Sequence, residues 1–156
     1  MNHSLACVVD ASVGIKKFVP DSLTPKADKL FAHLTDPNAK LHIPDLFYIE
    51  CTSIIWKYVR FQQYDLDNAK RNLVRLKGLR FVPTSTAELM TDALDLGSIY
   101  GISAYDACYA SLAKRENVAI LTQDKKLIRA LKDSDIDVQL FSEFSIPPLP
   151  SDFLED

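Results

Sequence analysis

The stretch Leu5-Ala6-Cys7-Val8-Val9-Asp10-Ala11-Ser12 decides the fold. Five apolar residues, β-branched at their end, read as a short strand buried on both faces, and the run stops abruptly at a carboxylate. Helical spacing follows, to Phe18, and Pro20 interrupts it. Working outward, the same unit recurs. Apolar runs at 41–43, 79–82, 118–121 and 138–141 give four more strand candidates, each separated from the last by amphipathic helical segments. Thr24 reads as the N-cap of a helix with Pro25 in its first position, and Asp45 as the cap of a long helix over 46–63. A helix over 67–77 should end in a left-handed turn at Gly78; others start at Thr86, Ser103 and Asp124. Five strands alternating with helices imply parallel β-α units with right-handed crossovers, hence a doubly wound α/β sandwich.

At 156 residues, with 47% hydrophobic and 25% charged residues and four glycines, the chain fits one ordinary core rather than a disordered or collagen-like one. Residues 1–144 are read as this domain and residues 145–156 as an acidic, proline-containing tail. No apolar run approaches the ~20 residues needed to span a bilayer, and Met-Asn-His-Ser does not resemble a signal peptide, so a cytoplasmic location without membrane contact is expected. Cys7, Cys51 and Cys108 are odd in number and far apart, which suits small buried hydrophobes better than disulfides or a metal pair. Net charge is −3, yet the seven acids after Lys132 conceal a balance of +4 over residues 1–132. Lys57, Arg60, Lys70, Arg71, Arg75, Lys77 and Arg80 face only Asp65 and Asp67 within 57–80, which permits a local basic face.

Ligands of an open parallel sheet gather beyond the carboxyl ends of its strands, so the acids there carry the functional question. Asp10 follows the first strand, Asp124 follows the strand at 118–121, and Asp106 lies in the first turn of its helix. Glu50 shares a helix face with Leu46, Phe47 and Ile54, where an unpaired carboxylate is costly. Each of the other three also has a structural reading: Asp10 as a strand terminator, Asp124 as a cap, and Ser103 with Asp106 as a capping-box variant. If the sheet gathers all four, their repulsion demands a cation. With His3, His33 and His42 elsewhere, an all-oxygen set favours Mg²⁺, with Mn²⁺ as substitute, over zinc. Such an ion can acidify a bound water and neutralise a phosphodiester, which points to phosphate chemistry.

Four segments together resemble the PIN-domain ribonucleases of the VapC toxin type. They are Val8-Val9-Asp10-Ala11-Ser12; residues 44–50 running into Ile54-Ile55-Trp56; Ser103-Ala104-Tyr105-Asp106-Ala107 with Ala110-Ser111-Leu112-Ala113; and Ile120-Leu121-Thr122-Gln123-Asp124 with Leu127. The resemblance covers nearly the whole chain. It implies a three-layer sandwich around a five-stranded parallel sheet of order 3-2-1-4-5, with Asp10, Glu50, Asp106 and Asp124 as catalytic, metal-binding acids and Ser12 and Thr122 as supporting hydroxyls. It further implies hydrolysis of an RNA phosphodiester to leave a 5′-phosphate, and an antitoxin protein as partner. Single-stranded or loop RNA is the expected substrate because an unstacked backbone can bend into such a site, and a homodimer is expected because the apolar and aromatic side chains over 47–64 exceed what one helix face can bury. The tail after Phe144 matches nothing in that pattern.

Rival readings fit less well. A receiver-like signalling domain needs paired acids after the first strand and an Asp after the third, where this chain has Ala11-Ser12 and Pro83-Thr84. A haloacid-dehalogenase-like phosphatase needs an Asp where Ser12 stands. The remaining alternative is a PIN scaffold that binds RNA or protein without cutting, against which the presence of all four acids weighs. Tyr48, Trp56, Tyr58, Phe61 and Tyr64, interleaved with Lys57 and Arg60, suit an interface between copies better than base stacking.

Overall fold

The computed structural model describes residues 3–150. Five parallel strands, β1 (Ala6–Val9), β2 (Lys40–Pro44), β3 (Val82–Thr84), β4 (Ala119–Thr122) and β5 (Val138–Leu140), form one sheet in the order 3-2-1-4-5. Register is fixed by Cys7 opposite Leu41 on one side of β1 and Val8 opposite Ile120 on the other. The carboxyl ends of β1 and β4 therefore lie side by side, and strand order reverses between them. Helices flank both faces of the sheet.

Seven helices carry the crossovers: α1 (Ala11–Gly14), α2 (Thr24–Ala32), α3 (Leu46–Phe61), α4 (Leu66–Lys77), α5 (Thr86–Tyr100), α6 (Ala104–Glu116) and α7 (Lys125–Leu131). Most buried is α6, whose residues from Ala107 to Ala113 are all buried. Its small side chains at 107, 110 and 113 let it pack closely across β2, β1 and β4 while α5 covers its other side. The N-terminal turn α1 lies against α3 at Gly14, where a Cβ would stand 2.6 Å from Cζ of the buried Phe47 ring. Only the absence of a side chain permits that approach. All three cysteines are free and buried, and burial pushes the Cys7 thiol up to about 12.

Local details depart from the sequence reading in five places. Thr24 does not cap α2; its hydroxyl donates to the carbonyls of Lys16 and Val19 (2.8 and 3.0 Å), and Asp21 instead takes the Leu23 N–H. Asp45 makes no side-chain cap to α3 but accepts from Thr86 N (3.0 Å), capping α5 across the sheet edge. Gly78 has φ −78°, right-handed, because its N–H donates to the carbonyls of Val74 and Arg75 (both 3.2 Å) and so stays within the helical path. The long helix ends at Phe61, and Gln63 turns left-handed at φ 55°. β3 begins at Val82, not 79, and runs through Pro83. Because β3 pairs only with β2, Pro83 sits on an edge strand, where a missing N–H is tolerated.

The basic segment divides by side-chain direction. Arg80 donates to the carbonyls of Leu34 and Asp36 (2.7 and 2.9 Å) at the amino edge of the sheet. Arg75 lies over Phe18, Arg60 over Phe61, and Arg71 bonds to Asn68. Residues 145–150 form no helix or strand: Ile146 packs on the core, Pro150 is buried, and the Pro147 carbonyl lies 2.8 Å from His33 Nε2. The acidic end of the tail, 151–156, lies outside the described residues.

Candidate active site

Strand β1 delivers Asp10 to the carboxyl edge and fixes it there: its N–H donates to Leu121 O of β4 (3.1 Å), and its carbonyl receives N–H groups from α1. The side chain is nearly inaccessible, 8% exposed. One carboxylate oxygen, Oδ2, accepts from both Ser12 Oγ (2.7 Å) and Thr122 Oγ1 (2.8 Å). Those hydroxyls are themselves held, Ser12 by Gln123 N–H (3.1 Å) and Thr122 by Asp124 N–H (3.0 Å). A closed ring of hydrogen bonds thus ties the ends of β1 and β4 together and orients the Asp10 carboxylate. Even so, burial pushes its carboxyl above the usual range against those bonds, with the charge of Asp124 adding to the rise.

Asp124 stands at the N-terminus of α7, where its Oδ1 accepts from Lys126 N (2.9 Å) and Leu127 N (3.3 Å). It is both a cap and a neighbour of Asp10. Asp106 enters from α6, whose N-cap Ser103 accepts the Asp106 N–H (3.1 Å). Burial first, then the charges of Asp10 and Asp124, raise its carboxyl. Glu50 reaches the same place from α3. Burial raises it, Tyr109 opposes that rise, and the charges of Asp10 and Asp106 add to it. Each of the four acids therefore either feels or exerts the charge of its neighbours, and the structural roles of the caps coexist with that gathering.

Tyr109 was invisible to the sequence reading. It is the largest fully buried side chain, and its hydroxyl donates to Glu50 Oε1 at 2.7 Å. Proximity to Asp10 and Glu50, added to burial, pushes its own ionisation far up, so it stays a donor. One signal was available: Tyr109 lies three residues beyond Asp106, on the same face of α6.

The donor set is wholly carboxylate and hydroxyl, which suits a hard divalent cation and gives zinc no nitrogen or sulfur ligand. Among the described residues, no three of His, Cys, Asp or Glu are arranged to close on one ion by themselves. An ion such as Mg²⁺ is commonly held by one or two carboxylates with water completing its shell, and this edge offers that kind of site.

Residues 7–132 match the PIN domain family. Ribonuclease VapC3 of Pyrobaculum aerophilum is 32% identical over 124 residues, covering 77% of this chain and 90% of that one. The crystal structure of PAE2754 from Pyrobaculum aerophilum superposes with a TM-score of 0.63 at 25% identity, over 86% of this chain and 83% of that one. A chain of a toxin-antitoxin complex from Klebsiella pneumoniae shares the fold, with a TM-score of 0.60 at 15% identity over 90% and 99% of the two chains. With its sheet order, its acid-lined carboxyl edge and these likenesses, the chain belongs to the PIN-domain family, in its VapC type.

Proposed function

We propose that this chain is a Mg²⁺- or Mn²⁺-dependent endoribonuclease, the toxin of a toxin–antitoxin pair, with Asp10, Glu50, Asp106 and Asp124 as its metal-binding acids. The observation that carries this reading is the hydroxyl-locked Asp10 carboxylate beside Asp124, with Glu50 and Asp106: burial and neighbouring acids raise the carboxyls of Asp10, Glu50 and Asp106, and no Lys or Arg offsets them. A divalent ion, when bound, supplies a water acidified for attack and offsets charge on the phosphodiester. The chain's own part is positional. Ser12 and Thr122 fix the direction of Asp10, and Tyr109 fixes that of Glu50. Asp106 and Asp124 are presented by helix starts whose backbone is already satisfied by their caps. None of these groups reads a base, so selectivity for unpaired RNA comes from a backbone that can bend into the edge.

A protein antitoxin and a second copy of the chain are the expected partners. The named toxin-antitoxin relative supports the first. Exposed apolar side chains support the second: Trp56 and Phe61 on α3, with Met90, Leu94 and Ile99 on α5, offer apolar surface for a partner to cover. Among the described residues no helix is long and apolar enough to cross a membrane.

End-labelled single-stranded and hairpin RNAs incubated with Mg²⁺, Mn²⁺ or EDTA test the activity. Cleavage should require the ion, spare duplex, and vanish in Asp10→Asn and Asp106→Asn. Cutting that persists in EDTA, or in both variants undiminished, overturns the reading.

A further inference from the structure

A groove of about 450 Å³ opens directly from the acid edge and runs along α3. Its lining is Ile49, Glu50, Ser53, Ile54, Lys57 and Tyr105. Glu50, Ser53, Ile54 and Lys57 share one face of α3 at helical spacing, so the groove follows the helix for two turns, about 10 Å, from a carboxylate of the site to an ammonium group. Tyr105, 64% exposed, is the far wall. It sits in the first turn of α6, immediately before Asp106, and no hydrogen bond or aromatic partner engages it among the described residues. Core packing therefore does not account for a tyrosine here. Nor does an ion pair account for Lys57, which has none among the described residues.

The other side of Tyr105 faces a second groove, lined by Leu46, Thr86, Ala87, Met90, Ala104 and Cys108 and lacking any basic group. The two differ in charge. An anionic strand leaving the acid edge finds a cation along α3 and none along α5.

We propose that the α3 groove is the subsite for one unstacked nucleotide adjoining the scissile phosphate, its base on the Tyr105 ring and its outer phosphate at Lys57. This rests on the ribonuclease reading above and adds to it a base-stacking residue and a phosphate contact. Ile49 and Ile54 give the sugar an apolar floor, and Ser53 offers it a hydroxyl. A base stacked within a duplex has no free face to give the ring, so the groove adds to the selection for unpaired RNA that the bending backbone already makes. Every base has a π-face, so Tyr105 confers strandedness rather than sequence.

Binding of a fluorescently labelled single-stranded oligoribonucleotide, followed by anisotropy in EDTA across a salt series, tests this apart from catalysis. Tyr105→Ala should weaken binding about five- to hundredfold with an unchanged salt slope, and Tyr105→Trp should restore it. Lys57→Ala should lower the slope of log K against log salt by about 0.7, the share of one phosphate on a single strand. With Mg²⁺ or Mn²⁺ present, Tyr105→Ala should raise KM more than it lowers kcat. Wild-type binding and slope in both variants overturn the subsite while leaving the ribonuclease reading intact. So does a change in sedimentation mass with RNA affinity unchanged, which would assign this face to a protein partner. A wild-type protein that neither binds nor cuts any single-stranded RNA overturns both.

Discussion

Two buried aspartates stand at opposite edges of the sheet. Asp36, fully inaccessible, precedes β2 at the amino edge; Asp10, 8% exposed, follows β1 at the carboxyl edge. Their carboxyls move in opposite directions. The Ser4 hydroxyl facing Asp36, the Asn38 N–H (2.9 Å) and the charges of His33 and Arg80 hold it below the usual carboxylate range. Asp10 receives two hydroxyls and still lies above that range, because burial and the Asp124 charge outweigh them. Positive charge faces Asp36, from His33 and Arg80, although its Oδ2 is buried without a hydrogen-bond partner among the described residues. Asp10 is oriented by two hydroxyls on one oxygen but faces another acid instead of a cation, which is the condition of a group waiting for one.

The comparison breaks most decisively in activity. Asp10→Asn and Asp106→Asn should reduce cleavage on the order of a thousandfold or more, whereas Asp36→Asn should leave the rate per folded molecule unchanged. Equal losses in all three would erase the distinction. Next in size are the groups that aim the acids. Ser12→Ala, Thr122→Val and Tyr109→Phe should each lower activity or Mn²⁺ affinity about 10- to 100-fold, as removal of a ligand-orienting hydrogen bond does. Isothermal titration with Mn²⁺ separates that loss from misfolding.

The smallest effects concern stability, and here the two aspartates should differ in sign. Without metal, Asp10→Asn should stabilise the chain by about 1 kcal/mol, roughly 2–4 °C in Tm, while Asp36→Asn should lower Tm. The pH dependence follows from the shifts. A carboxyl raised in the folded state contributes stability that is present below its unfolded value and lost as pH rises through the folded one; Asp10, Glu50 and Asp106 are of this kind. Asp36, depressed, contributes stability present above its unfolded value and lost as pH falls through the folded one. The gain from Asp10→Asn should therefore grow as pH rises through the raised folded value and fade toward about pH 4, where the unfolded acid also protonates. Saturating Mn²⁺ should reverse its sign. Thermal melts of both variants at several pH values, with and without the ion, read all of this.

Sequence legibility followed the range of the interactions. The strand read at Leu5 to Val9, observed as Ala6–Val9, and the caps at Ser103 and Asp124 are written within a few residues. Asp45 serves a helix 41 residues further on, so its cap could not be read locally. The start of β3 was displaced because Pro83 reads as a breaker until its edge position is known. Arginines 75 and 80 counted toward a basic face that the fold spends instead on Phe18 and on two carbonyls. Tyr109 hid in an alanine-rich run whose function required knowing that α6 crosses to meet α3.

The ring at the carboxyl edge also sets a clock. Thr122 and Asp10 are bonded across 112 residues of chain, and β4 is the neighbour that completes β1 on its acid side. On a ribosome Asp10 emerges without Thr122 and without Asp124, and waits while the 112 residues up to Thr122 follow it. Every chain abandoned before that point carries its first acid and no assembled centre. The finished edge therefore exists only in chains whose synthesis has passed β4.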